Sequence, residues 1–258
     1  MPRWLITILL LSPFVVHGQN VPDFFFEIIG GDSVKLFIDR ADRFTDKHCA
    51  FFARYTRIDS DGNFNGFFKD ITFDNKLLGT GRYIHGRKHG YFELFHGNGK
   101  PMLRGFYDNN LPVGRWEMFY NNGLPYRTII MQESDTLLWT LVNPKGHVDV
   151  SNGNGSYILY REYQSRFYHF LDLKGTVKNG RADGLWATDW KGYFAEGMAF
   201  TLKEWYDNGK MIRSNFPNEK LRNQSRLVKF LPDTYLANVE RFSLHKCYDT
   251  IRHSVEVN

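Results

Sequence analysis

Residues 90–123 read GYFELFHGNGKPMLRGFYDNNLPVGRWEMFYNNG, and this stretch decides the fold because it holds one sequence unit and the start of the next. Gly66, Gly90 and Gly114 are 24 residues apart, and each begins a segment in which large apolar residues alternate with other residues. Each segment ends in an Asn- or Gly-bearing turn such as Asn122-Gly123, which favours a β-hairpin. Each 24-residue unit is therefore predicted to contain two antiparallel strands.

The second half of the unit aligns Gly81-Arg82-Tyr83 with Gly105-Phe106-Tyr107. Where a turn glycine is replaced, the replacement is Asn, which is the non-glycine residue that best tolerates positive φ. We therefore predict left-handed backbone at the repeated turn positions. The predicted structural turn residues are Gly66, Asn75, Gly86, Gly90, Gly99, Asn110, Gly114, Gly123, Gly180, Gly184 and Gly209.

The repeat fades after Pro125 and returns later in the chain. The stretch from Gly175 to Trp186 matches the stretch from Gly105 to Trp116, and residues 203–209 (KEWYDNG) resemble the segment that closes at Gly123. In the earlier unit Gly123 follows Trp116 after 7 residues, whereas in the late unit Gly209 follows Trp186 after 23 residues. The late unit therefore contains an insertion of 16 residues.

Two quoted motifs carry a family resemblance. Gly114-Arg-Trp-Glu-Met-Phe-Tyr-Asn-Asn-Gly123 and His85-Gly-Arg-Lys-His-Gly90 resemble the repeat unit of the bacterial MORN-repeat variant proteins. The resemblance covers residues 51–130 and 150–213. It implies a repetitive antiparallel β-sheet protein of the kind found in the envelope of Bacteroidetes-like bacteria, in a family often labelled the antitoxin component of a toxin–antitoxin system and without agreed catalytic residues.

The fold class predicted from these patterns is all-β. A single hairpin cannot bury its apolar face, so successive hairpins are expected to pair edge to edge into an elongated antiparallel meander of MORN-like repeats. The expected organisation is a signal peptide (1–18), an N-terminal cap (19–62), three repeats (63–137), divergent repeats with the insertion (138–213) and a C-terminal cap (214–258). Within the N-terminal cap, segments 23–29 and 32–38 are predicted strands joined by Gly30-Gly31.

Composition excludes two broad classes. The 258 residues include 23 Phe, 14 Tyr and 6 Trp, and 42% are hydrophobic, which excludes a disordered chain. The net charge of +5 is a mild excess without a basic stripe or a nucleic-acid-binding motif. Nucleic acid is therefore not an expected partner.

The first residues predict export. Arg3 precedes an apolar run at 4–16, and the small residue Gly18 precedes Gln19. This run is shorter than the roughly 20 residues that a membrane helix needs, so we expect a cleavable signal peptide without a lipid-attachment cysteine. The mature protein would be periplasmic or secreted, with no transmembrane segment. The alternative is an uncleaved anchor or a buried N-terminal segment.

No residue pattern predicts catalysis, a cofactor or a metal site. His85, His89 and His96 lie near one turn, but the other repeats place Asn109, Val113 and Tyr120 at those positions. Glu93 and Glu117 occupy one repeat position that is Lys69 in the first unit, which favours a solvated face over a pair of catalytic carboxylates. We therefore expect a protein that is not an enzyme.

The aromatic surplus predicts a binding function instead. The candidate binding aromatics are Trp116, Tyr120, Trp186 and Trp205. The expected function is a non-catalytic protein-binding or scaffold module of the cell envelope, with another envelope protein as its partner. The alternatives are binding of envelope glycan through exposed Trp and Tyr, and the antitoxin-like role that the family label suggests.

The only two cysteines are Cys49 and Cys247. An even number of cysteines in an exported chain permits a disulfide, and a bond between these two would close a very long loop. The alternative is two separate buried thiols.

Overall fold

The computed structural model describes residues 25–132, 135–158, 171–191 and 199–215. These residues form seventeen β-strands and no helix, which confirms the predicted all-β class. The strands are β1 (Phe26–Gly30), β2 (Ser33–Ile38), β3 (Phe52–Arg57), β4 (Gly66–Thr72), β5 (Leu77–Ile84), β6 (Arg87–Lys88), β7 (Gly90–Phe95), β8 (Pro101–Asp108), β9 (Leu111–Phe119), β10 (Pro125–Gln132), β11 (Asp135–Val142), β12 (Val148–Ser151), β13 (Asn154–Ile158), β14 (Leu171–Lys178), β15 (Arg181–Lys191), β16 (Ala199–Asp207) and β17 (Lys210–Ser214).

The chain divides into two compact units between Gly99 and Lys100. In the first unit β1 to β5 pair in sequence order, and β5 also pairs with β6 and β7. In the second unit β8 to β17 pair in sequence order, and every pairing is antiparallel. Each unit is therefore a hairpin meander.

The expected N-terminal cap is continuous with the first repeat. β1 and β2 form the hairpin that sequence alternation predicts, and β2 pairs with β3. β3 then pairs with β4, the first strand of the first repeat. The expected signal peptide (1–18) and C-terminal cap lie outside the described residues, except for residues 214–215 at the end of β17.

The 16-residue insertion lengthens one hairpin. β15 and β16 pair continuously from Gly184 opposite Tyr206 to Lys191 opposite Ala199. These strands have eleven and nine residues, whereas β4 and β7 have seven and six. The remainder of the insertion, residues 192–198, lies outside the described residues.

Two kinds of turn connect the strands. In the first kind the fourth of five residues has positive φ and its N–H donates to the carbonyl of the first, as Gly123 does to Tyr120 at 2.8 Å. In the second kind two consecutive residues have positive φ, which is typical of the type I′ turn that matches the twist of a hairpin. The two-residue turns with φ between 46° and 84° are His85-Gly86, Asn109-Asn110, Asn152-Gly153, Asn179-Gly180 and Asn208-Gly209. Gly30 and Gly31, at the β1–β2 connection, also have positive φ, but Gly30 has the more extended value of 142°.

Aromatic rings cover strand glycines on the buried side of each meander. A side chain at Gly105 would overlap the indole of Trp116, and one at Gly175 would overlap the indole of Trp186. In the first unit a side chain at Gly81 would lie 2.6 Å from Phe92 and 2.7 Å from Phe68. Both Trp rings are almost fully buried. The repeated glycine is therefore required because it leaves space for the ring of a neighbouring strand.

The inner face of a strand is defined here as the side that carries these covering rings, and the outer face as the opposite side. Alternate residues point to opposite faces, so Phe68 lies on the inner face of β4 while Phe67 and Lys69 lie on its outer face. On β16, Leu202 and Glu204 are buried, whereas Lys203 is exposed on the outer face. No helix in the described ranges is long and apolar enough to cross a membrane.

Candidate functional site

Three of the four candidate binding aromatics are inner-face residues, so their predicted role is wrong. Trp116 has 0% of its surface exposed, and Tyr120 and Trp186 have 2% each. The Tyr120 hydroxyl donates to the Val142 carbonyl at 2.7 Å. The Trp116 and Trp186 rings fill the space beside glycines of the adjacent strands, and the Tyr120 hydroxyl is held by this hydrogen bond. All three side chains therefore belong to the core. Only Trp205 is half-buried and accessible at the outer face.

The predicted structural turn residues all have left-handed backbone, but Gly66, Gly90, Gly114 and Gly184 lie within β4, β7, β9 and β15 and not in turns. All of Gly66, Asn75, Gly86, Gly90, Gly99, Asn110, Gly114, Gly123, Gly180, Gly184 and Gly209 have positive φ. The Asn98-Gly99 and Asn122-Gly123 pairs differ from the two-residue turn that an Asn-Gly pair usually indicates, because only their glycines have positive φ. They lie in the five-residue kind of turn.

An aromatic ring flanked by two basic side chains occupies the outer face of the first unit. Phe67 is directly opposite Arg82 in the β4–β5 register, and the Arg82 guanidinium carbon is 5.6 Å from the Phe67 ring centre. Lys69 follows on the same face of β4. Phe67 is 75% exposed, although Phe is usually buried, and both basic residues are exposed. We call Phe67, Arg82 and Lys69 the first aromatic–basic triad.

The second unit repeats this arrangement on β16 and β17. Trp205 is directly opposite Arg213, whose guanidinium carbon is 3.7 Å from the Trp205 ring centre. Lys203 lies two residues before Trp205 on the same face, and both basic residues are exposed. Leu185, 46% exposed, is opposite Trp205 on the other side. We call Trp205, Arg213 and Lys203 the second aromatic–basic triad.

β8 and β9 carry a related arrangement in which the charges are neutralised. The Arg104 guanidinium carbon is 5.0 Å from the Phe119 ring centre, but a carboxylate, Glu117, lies two residues before Phe119. Glu117 accepts hydrogen bonds from Nε of Arg104 at 2.7 Å and from Nε of Arg115 at 3.0 Å. Partial burial acts to raise the pKa of Glu117, but these two arginines outweigh it and hold the pKa below its ordinary value.

An ion pair that sequence reasoning missed lies on the inner face of the first unit. Arg54 donates from Nε and Nη2 to the two carboxylate oxygens of Asp70, both at 2.7 Å. Burial acts to lower the pKa of Arg54, but Asp70 outweighs it and the pKa is raised. The Arg54 guanidinium also lies 4.3 Å from the Phe68 ring centre. Both charged groups are buried, so this pair belongs to the core and is not available to a ligand.

The histidines and glutamates considered for chemistry are not brought together as a site. His85 contacts Asp59, with 3.0 Å between Nδ1 and Oδ2. Glu93 is half-buried opposite Thr80 on β5, and Glu117 is held by its two arginines. No group of three or more metal-ligating side chains occurs in the portions of the chain that the structure describes.

Cys49 is disulfide-bonded in the structure. It lies in the turn between Phe44 and β3, in the first unit. Cys247, the other cysteine of the chain, lies outside the described residues. The pairing of Cys49 with Cys247 therefore stays a prediction.

No family model matches the chain, and no curated protein matches it significantly. The function must therefore be inferred from the outer-face geometry. The sequence predicts binding aromatics from the aromatic surplus alone, whereas Phe67 and Trp205 each have an arginine directly across the hairpin. The strand register, which places Arg82 opposite Phe67 and Arg213 opposite Trp205, supplies the missing signal.

Proposed function

We propose that this chain is a non-catalytic, exported protein-binding module that contacts its partner through the outer faces of its β-hairpin meanders. The observation that carries this proposal is the exposure of Phe67 on a regular strand, between two exposed basic residues. An exposed aromatic ring loses unfavourable contact with water when a partner covers it. Aromatic and arginine side chains are also the residues that most often dominate binding energy in protein interfaces.

The rigidity of the surrounding hairpins supports the same function. Phe67 lies in the middle of a paired strand, and its neighbour Phe68 is anchored in the inner-face ring cluster with Tyr83 and Phe92 at centre distances of 5.5 Å. A binding side chain on such a strand is ordered before the partner arrives, so less conformational entropy is lost on association.

The cellular part of the proposal rests on residues 1–18 and on the resemblance to MORN-repeat variant proteins. Export to the periplasm or beyond makes another envelope protein the expected partner. The repeated hairpins then serve as a scaffold that presents the outer-face side chains.

Site-specific photo-crosslinking tests the proposed function. Phe67 is replaced by the photoreactive analogue benzoyl-phenylalanine, and the protein is irradiated in envelope extract from its native host. We expect a cross-linked protein at position 67 that disappears when excess unmodified protein competes. The same analogue at Ile29, which is 52% exposed on β1, is the matched control. Equal cross-linking at both positions, or no competable product at position 67, would contradict the proposal.

A further inference from the structure

The two aromatic–basic triads contain the same three kinds of side chain although they lie in different units. In each, an arginine of the adjacent strand lies over the ring, at 5.6 Å for Phe67 and 3.7 Å for Trp205. A lysine lies two residues from the ring on the same strand face, after the ring on β4 and before it on β16. Positions two residues apart on a strand are separated by about 6.6 Å. Each triad thus presents an apolar position and a cationic position at the side-chain spacing of an extended polypeptide.

The basic groups of both triads lack acidic partners within the described ranges. No carboxylate there forms an ion pair with Lys69, Arg82, Lys203 or Arg213. Thr80 lies opposite Lys69 and Glu93 lies opposite Thr80, so Thr80 separates Glu93 from Lys69. In the second unit Asp189 accepts a hydrogen bond from Thr201. Each triad therefore carries an uncompensated positive charge.

Several other basic side chains are already paired with carboxylates. Arg104 and Arg115 hold Glu117, and Lys35 lies 3.2 Å from Glu27. The exposed Arg57 lies 3.5 Å from Asp32. These four basic groups are therefore less available to a partner's carboxylate than those of the triads.

We propose that each triad binds an extended acidic segment of a partner protein, in which an apolar and an acidic side chain are two residues apart. The apolar side chain covers Phe67 or Trp205, and the carboxylate two residues away meets Lys69 or Lys203. The arginine stacked on the ring donates hydrogen bonds to a further carboxylate while remaining over the aromatic face. The inference rests on the proposed protein-binding function and specifies the chemistry of the partner.

The presence of an aromatic ring beside the basic groups favours a polypeptide partner over a purely anionic surface. A purely anionic surface, such as a vesicle of acidic lipid, offers no side chain at the spacing of the ring. An extended peptide satisfies both positions at once, because its alternate side chains have the same spacing as those of the strand. Charge steers the encounter and sets specificity, while the covered ring supplies apolar contact.

Fluorescence anisotropy with defined probes tests the inference on the full chain. The probe is a labelled decapeptide, Ser-Val-Ser-Glu-Ser-Val-Ser-Glu-Ser-Val, which places Val and Glu two residues apart on one face, and the matched probe has Gln in place of every Glu. We expect saturable binding of the Glu peptide, at least tenfold weaker binding of the Gln peptide, and weaker binding as salt concentration rises.

Substitutions in the triads then test whether the Glu peptide binds there. We expect K69Q/R82Q and K203Q/R213Q each to weaken binding of the Glu peptide, and their combination to weaken it at least tenfold. The matched control is Arg57→Gln, because Arg57 is exposed on the same unit but is already close to Asp32. Melting temperatures of all variants are compared, since these surface substitutions should leave the fold intact.

Three outcomes would overturn the inference. These are no binding of the Glu peptide by the unmodified protein, equal loss with Arg57→Gln, and binding to acidic vesicles that exceeds binding to the peptide. Competable cross-linking at position 67 together with any of these outcomes would retain the proposed function and reject the acidic partner. Loss of that cross-linking would reject the proposed function itself.

Discussion

Arg54 and Asp70 form a two-point ion pair across β3 and β4, with two nitrogen–oxygen distances of 2.7 Å and both side chains buried. Removing one partner leaves an uncompensated buried charge, which commonly costs about 3–5 kcal/mol. We therefore expect Asp70→Asn to lower the free energy of unfolding by an amount in this range, measured by urea denaturation. The matched control is Asp32→Asn, because Asp32 pairs with Arg57 at the surface and should change stability by less than about 0.5 kcal/mol. Equal effects of the two substitutions would contradict the assignment.

Alanine substitutions at Gly105, beneath Trp116, and at Gly97 should change the stability of the protein differently. A methyl group at Gly105 would overlap the indole, so Gly105→Ala should destabilise the protein by about 1–3 kcal/mol. Gly97 has open space around its backbone and no positive φ, so Gly97→Ala should be neutral or slightly stabilising. Thermal unfolding of the two variants would show opposite or clearly unequal shifts. A stable Gly105→Ala variant would mean that the Trp116 ring does not occupy this position.

The turn at Gly99 is sensitive to branching at the β-carbon. Gly99 has a φ of +83°, a region in which a β-branched residue is strained. We expect Gly99→Val to lower the free energy of unfolding by more than about 1 kcal/mol. Asn75, at the same repeat position with a φ of 63°, supplies the comparison, because Asn75→Gly should be tolerated. An unchanged melting temperature for Gly99→Val would reject the left-handed turn.

Glu117 predicts a dependence of stability on pH. The pKa of its carboxyl group in the folded protein lies below the ordinary value of 4.5, because hydrogen bonds from Arg104 and Arg115 outweigh partial burial. Its stabilising contribution is therefore fully present well above pH 4.5 and is lost as the pH falls through the lower folded-state pKa. We expect Glu117→Gln to reduce the loss of stability in that acidic range. The free energy of unfolding is measured by denaturation at several pH values. If it falls as steeply with decreasing pH in the variant as in the unmodified protein, this contribution is refuted.

The predicted Cys49–Cys247 bond is tested by counting thiols. Labelling of unfolded, unreduced protein should find no free thiol, and reduction should lower the melting temperature by several degrees because the bond restricts the unfolded chain. Two reactive thiols in the same sample would exclude the bond.

Much of the fold could be predicted from sequence because its determinants are local. Alternation predicts the strands, and the 24-residue recurrence of Gly66, Gly90 and Gly114 predicts the hairpins. Left-handed turns such as those at Gly99 and Gly123 follow from the turn glycines and from the asparagines that replace them, as at Asn75. These features depend on short-range backbone conformation, which neighbouring residues largely determine.

The exposure of the aromatic residues could not be predicted in the same way. Trp116 and Trp205 look alike in the sequence, but only Trp116 lies over a glycine of the adjacent strand. A shift of one residue in register would reverse the face of every side chain. The buried Arg54–Asp70 pair was missed for the same reason, since its partners are 16 residues apart and meet only through the pairing of β3 with β4.

The turns also affect how fast asparagine side chains of the protein deamidate. In an Asn-Gly sequence the glycine nitrogen can attack the asparagine side-chain carbonyl, which releases ammonia and ends in deamidation. The dipeptides at 98–99, 122–123, 152–153, 179–180 and 208–209 all have this sequence, and in each the glycine N–H donates a backbone hydrogen bond of 2.8–2.9 Å. Attack requires that bond to break and the turn to rearrange. The folded protein should therefore retain these amides far longer than the unfolded chain, so the accumulation of Asp and isoaspartate at these positions would record how often each turn has opened.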